Sequence, residues 1–132
     1  MSDEIPAPGG AKPVGLLLSR DLIFTSKVTG TASALGHQVA VAGQVAQAMA
    51  MIEESGPQVV FVDLAAGELV ASPALLRYRG VAAAGTPFLA FGSHVDVDAL
   101  AEAARAGCDP VMPRSRFTNE LPALIRRYLG EG

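Results

Sequence analysis

One carboxylate in this chain follows directly on an apolar run, where a charge is unfavourable. The stretch Gln58-Val59-Val60-Phe61-Val62-Asp63-Leu64 (QVVFVDL) sets four consecutive apolar residues before Asp63. A charge at the edge of a core needs a partner or a task. Asp63 could accept a transferred group, hold a cation, or neutralise a fixed positive charge. Other polar groups also close apolar runs: Ser19-Arg20-Asp21 after VGLLL, Gly92-Ser93 after PFLAF, and Arg114-Ser115 shortly after Pro110–Met112. His37 and His94 have no metal-ligand spacing to each other or to Cys108, so no zinc site is expected. Cys108 reads as a small buried apolar residue. Thr29-Gly30-Thr31 has the composition of a phosphate-cradling flavin loop, but it lies inside a helical pattern about ten residues past the first strand rather than directly after it. The glycine-rich nucleotide loops and the serine nucleophile elbow have no counterpart here.

The bulk composition narrows the function classes. The chain has 132 residues, half of them hydrophobic, which suits one ordinary domain with a sizeable core. Ten Lys and Arg stand against thirteen Asp and Glu, a net charge of −3, which argues against nucleic acid as a partner. No run reaches the ~18 apolar residues of a membrane-spanning helix, and no secretory h-region opens the chain. A single cysteine forms no intrachain disulfide and suits the cytoplasm.

The elements that must position these groups follow from periodicity. Residues 1–13 (MSDEIPAPGGAKP) hold three prolines and two glycines and read as a flexible leader. From residue 14 to 130, short apolar runs alternate with amphipathic stretches. Strands are expected at Val14–Leu18, Gln38–Val41, Gln58–Val62, Pro87–Phe91 and Pro110–Met112. Helical spacing joins Phe24, Val28, Ala32 and Leu35 behind an Asp21 N-cap, then Val45, Ala48, Met49 and Ile52. It returns more weakly over 72–84, then in Val97, Leu100, Ala101 and Ala104, and finally in Leu121, Leu124, Ile125, Tyr128 and Leu129. A loop is expected between Asp63 and residue 72. Unbroken apolar strands with intervening helices indicate a parallel sheet covered on both faces. The expected fold is a doubly wound α/β three-layer sandwich with strand order 2-1-3-4-5, whose ligand site lies at the carboxyl ends of the strands. Asp63 falls there.

On this strand order, on PQVVFVDL, on AARAGCDPVMPRS and on the closing FTNELPALIRRYL, residues 13–130 resemble the receiver domains of bacterial response regulators. The resemblance implies that Asp63 occupies the phosphoacceptor position. The Mg²⁺-holding acid pair falls on Ser19 and Arg20, with Asp21 next. The hydroxyl that follows the phosphoryl group falls on Gly92, with Ser93 beside it. The switch aromatic falls on Val111, and the phosphate-contacting lysine on Arg114, with Ser115 where the family usually has proline. The loop LAAGELVASP also lacks the family's usual proline four residues after Asp63. Asp63 is thus retained and Arg114 keeps its charge, while the acid pair, hydroxyl and aromatic are altered.

These departures have physical consequences. Mg²⁺ wants oxygen ligands in octahedral geometry, and Ser19 offers only a neutral hydroxyl. A guanidinium about 4 Å from Asp63 attracts it by about 4 kcal/mol before desolvation, so Arg20 or Arg114 is expected to pair with Asp63 permanently. The chain then reads as a stand-alone degenerate receiver of the two-component type, with no enzymatic activity and no cofactor, working through protein contacts. The expected docking face joins the fourth helix, the fifth strand and the last helix, where Arg114, Arg116, Arg126 and Arg127 cluster; homodimerisation is expected through the same face. The alternative is a single-domain response regulator phosphorylated on Asp63, with Asp21 and Asp63 as unorthodox Mg²⁺ ligands. A small-molecule binder on the same fold ranks third, because no ligand loop is recognisable.

Overall fold

The structure, a computed structural model, describes residues 14–130; the leader expected over 1–13 lies outside the described residues. Five strands, β1 (Val14–Leu18), β2 (Gln38–Ala42), β3 (Val59–Asp63), β4 (Phe88–Gly92) and β5 (Val111–Pro113), form one parallel sheet in the order β2-β1-β3-β4-β5. The helices are α1 (Leu22–Ala34), α2 (Val45–Ser55), α3 (Ser72–Val81), α4 (Val97–Arg105), α5 (Arg114–Asn119) and α6 (Leu121–Leu129). Thr29-Gly30-Thr31 lies inside α1.

The two faces of the sheet are filled by alternate residues of each strand, as the pleat requires. Leu16, Leu18, Val60, Val62, Phe88 and Ala90 bury against α2, α3 and α4. Leu17, Phe61, Leu89, Phe91 and Met112 bury against α1, α5 and α6. Every residue of β3 and of β4 is buried, which is why these strands read as unbroken apolar runs. At the sheet edge, Pro113 has no N–H to offer a further strand, so β5 is a poor template for pairing.

Three details depart from the sequence expectation. The segment after Asp63 is a 3₁₀ segment, Leu64–Val70, broken at Gly67 (φ 62°, ψ −127°), where a loop was expected. The third helix stops at Val81 instead of running to 84: Ala82 is extended (ψ 154°), and Gly85 at φ 87° turns the chain back into β4. The unanticipated helix α5 follows β5 directly, with Pro113 at its N-cap position and only Phe117 buried among its six residues. A six-residue helix carries too little periodicity to be seen in sequence.

Cys108 is 3% exposed, and burial pushes its thiol up to about 11. At pH 8 about a thousandth of it is thiolate. Iodoacetamide should therefore leave the native protein essentially unlabelled over an hour at pH 8 and alkylate it fully in denaturant. Prompt stoichiometric labelling of the native protein would contradict the burial.

Candidate functional site

The pleat decides which of the candidate residues meet. Asp63 follows Phe61 by two positions in β3, Ser19 follows Leu17 at the end of β1, and Arg114 follows Met112 after β5. All three side chains belong to the face covered by α1, α5 and α6, and they converge. Asp63 is 1% exposed. Ser19 Oγ donates to Asp63 Oδ2 at 2.7 Å, the Ala65 amide donates to Oδ1 at 3.0 Å, and Arg114 Nη2 donates to Oδ1 in an ion pair. Both carboxylate oxygens therefore have donors, and the charge is balanced by a guanidinium.

Arg20 does not take part. It sits one position beyond Ser19 and so turns to the opposite side of the sheet, where its Nε donates to the Gly43 carbonyl at 2.9 Å. Of the two arginines expected to pair with Asp63, only Arg114 does. The strand alternation carried this distinction in the sequence itself.

Asp21 is exposed and caps α1: its Oδ1 accepts from the Phe24 amide at 3.0 Å, and its own amide donates to Ser19 Oγ at 3.2 Å. The Ser19 hydroxyl is thus fixed between the Asp21 amide and Asp63, which orients its proton onto the carboxylate. These residues do not fit Mg²⁺. One carboxylate is engaged by a guanidinium, the second is engaged in a helix cap, and the residue where the pocket needs an acid is a neutral serine. Among the described residues no group of three His, Cys, Asp or Glu is placed to share a metal ion. His37 precedes β2 and hydrogen-bonds through Nε2 to the Gly130 carbonyl at 2.8 Å, while His94 follows β4 at the opposite end of the sheet and is exposed.

The remaining positions lie around this centre. A Cβ on Gly92 would come within 3.1 Å of Leu64 Cβ and 3.3 Å of Leu64 Cδ1. Leu64, the first residue of the 3₁₀ segment, fills the space that a hydroxyl-bearing side chain would need there. Ser93 is exposed, and its Oγ accepts from the Val95 amide at 3.4 Å. With Leu64, Gly92, Asp96 and Arg114 it lines a pocket of about 110 Å³. Val111 is half-buried against the α2–α4 layer, on the side of the sheet away from Asp63.

Sequence reasoning missed the aromatic surroundings of Arg114. Its guanidinium lies 4.7 Å from the Phe24 ring centroid and 5.3 Å from that of Phe91. Phe91 stacks on Phe117 at 4.0 Å with an 11° interplanar angle, and Phe117 meets the edge of Phe61 at 5.5 Å. The signal was present: Phe91 shares the sheet face of Asp63 by parity, and Phe24 sits three residues after the Asp21 cap, facing inward.

The basic cluster is also rearranged. Arg114 is turned into the site, Arg116 pairs with Glu120 at 3.0 Å on the surface, and Arg127 lies over the Tyr128 ring at 5.7 Å. Such an exposed i,i+4 pair contributes little to stability. Helices α4 and α5 flank β5 on its two sides.

No family model matches the sequence, and no curated protein matches it. Solved structures do. The receiver domain of a sensor histidine kinase from Pseudomonas aeruginosa, with a magnesium ion coordinated in its active-site cleft, superposes with a TM-score of 0.74 at 18% identity over 91% of this chain and 99% of that one. A response regulator from Thermotoga maritima gives 0.73 at 18% identity over 90% and 98%. A CheY-like receiver domain protein from Methanospirillum hungatei gives 0.76 at 15% identity over 92% and 96%. The fold is the CheY-like response-regulator receiver fold. Among the described residues no helix is long and apolar enough to cross a membrane.

Proposed function

We propose that this chain is a degenerate receiver: a signalling module of the two-component type that acts by protein contacts and is not switched by Mg²⁺-dependent phosphorylation. One observation carries the proposal. The carboxylate of Asp63 is already neutralised by Arg114 and hydrogen-bonded at both oxygens. Phosphoryl transfer to a carboxylate rests on positioning and charge neutralisation around an attacking oxygen in line with the leaving group. In this site the attacking lone pairs face Ser19, Ala65 and Arg114, and the cation that would gather phosphate charge is committed to Asp63.

The relay that reads a phosphoryl group is also altered. Gly92 has no hydroxyl, Leu64 fills the room for one, and Val111 faces the other layer. Output by contact then falls to surfaces that do not depend on the site. The face built from α4, β5 and α6 is the first choice for a protein partner or a second copy, with Arg116 and Arg127 on the α5–α6 part and Asp98 and Glu102 on α4. A reducing cytosolic setting suits the buried free thiol of Cys108.

Incubation with a small phosphodonor such as acetyl phosphate or phosphoramidate, with and without Mg²⁺, tests the proposal by intact mass. No phosphoryl adduct is expected under either condition. A gain of one phosphoryl mass that is Mg²⁺-dependent and lost in Asp63→Asn would establish the phosphorylated alternative instead.

A further inference from the structure

Arg114 reaches Asp63 through a single donor, Nη2, and not through the two parallel bonds that usually fix an arginine on a carboxylate. Its side chain is 31% exposed, and a long, part-exposed side chain with one hydrogen bond retains many rotamers. Something else must hold the plane of the guanidinium. We infer that Phe24 of α1 and Phe91 of β4 are positioning residues that form an aromatic seat for Arg114 and keep its Nη2 edge on Asp63. The inference rests on the reading of Asp63 as permanently neutralised and adds what makes that neutralisation permanent.

The two kinds of contact use different parts of the same group. A guanidinium meets aromatic rings with its flat face and hydrogen-bonds through its edge, so seat and ion pair do not compete. The rings lie 4.7 Å and 5.3 Å from the guanidinium carbon and 5.2 Å from each other, between centroids. They are themselves fixed. Phe91 is fully buried and stacked on Phe117, and Phe24 lies 6.0 Å from Phe117. Phe24 is the half-buried member, at the end of the first turn of α1, whose outer side carries Leu22 and Ile23 at 82% and 86% exposure. The seat therefore ties Arg114 to the placement of α1, an element with no chemistry of its own at Asp63. In this chain the rings that bear on the site are supplied from α1 and β4; the residue at the switch position, Val111, has none.

The test uses the guanidinium Nη–H resonances of Arg114 in the full chain, assigned by their disappearance in Arg114→Lys. Phe24→Leu removes the π face and keeps an apolar group. The Arg114 Nη–H bonded to Asp63 should then exchange with solvent about fivefold faster, the change expected when a cation–π contact of ordinary strength is lost. The exposed Arg77 serves as internal reference and should not change, and Phe24→Tyr should restore the slow rate. If Phe24→Leu does not fold, Phe24→Met provides the same loss of ring in a longer apolar side chain. An unchanged Arg114 exchange rate in a folded ring-less variant would overturn the seat and leave the pseudo-receiver reading intact. A phosphoryl adduct on the wild-type chain would do the reverse.

Discussion

Arg114→Ala is expected to lower the unfolding free energy by about 3 kcal/mol, the low end of what is lost when one member of a buried ion pair is removed. The size follows from the asymmetry of the pair. The Asp63 side chain is 2% exposed and that of Arg114 31%. Removing the arginine leaves a carboxylate inside the protein with a hydroxyl and an amide for company and no countercharge. Removing the acid instead leaves a guanidinium that can reach water along its exposed side. Asp63→Asn should therefore cost only about 1 kcal/mol, since the amide oxygen can still accept from the Ala65 amide while the new NH₂ donates to Ser19 Oγ, whose own proton turns away. The double variant should resemble Asp63→Asn alone, which gives a coupling of about 3 kcal/mol between the two positions. Urea denaturation of the four proteins measures all of this, and the melting temperature of Arg114→Ala should fall by roughly 10 °C. Millimolar Mg²⁺ should not recover the loss, because the site offers a divalent ion only one carboxylate. A loss under 0.5 kcal/mol would reduce the contact to an ordinary surface bridge and remove the basis for reading Asp63 as neutralised.

The fold was legible because its signals are redundant. Each strand is an apolar run bounded by turn residues, each long helix except α3 has a cap or a glycine stop, and the order of elements leaves few topologies. The site was legible only in part. Asp63 could be found because a charge after four apolar residues is conspicuous, and Arg114 because it closes the last strand on the same side. Choosing between Arg20 and Arg114 required the parity of β1, which places Ser19 with Leu17 and sends Arg20 across the sheet to Gly43. The 3₁₀ segment could not be read, since LAAGELV has neither a helical nor a strand period. Its contribution, Leu64 against Gly92, is a tertiary contact between residues 28 positions apart. The aromatic seat was hidden for a related reason: Phe24, Phe91 and Phe117 are ordinary core residues when counted singly, and become a site feature only when three elements pack them together and two of the rings meet one guanidinium.

Phe117→Ala should be more damaging than any change at the charged residues themselves, with a loss of about 4 kcal/mol. Phe117 is fully buried between Phe91, stacked at 4.0 Å, and the edge of Phe61 at 5.5 Å. Its removal leaves a cavity where two sheet strands and a helix meet. The effect extends further, because Phe117 is the only buried residue of α5. A helix of six residues has no stability of its own in water, so without that ring α5 is held only by its connections to β5 and α6. Arg114 is the first residue of α5, and the carboxylate it neutralises closes β3, with β4 between them. Loss of the ring should therefore weaken the Asp63 pair without touching either charge. Phe88→Ala provides the control. Phe88 is equally buried but belongs to the opposite layer, with α2, α3 and α4, so it should cost a similar free energy and leave α5 in place. Native-state hydrogen exchange separates the two: the α5 amides should lose protection in Phe117→Ala beyond the global loss of stability, and in Phe88→Ala only in proportion to it. Equal behaviour of α5 in both variants would mean that α5 is held by something other than its single buried ring. The position of Arg114 would then not depend on the aromatic cluster. If the expected difference is found, the pairing of Asp63 with Arg114 is a property of the core, maintained by residues that carry no charge.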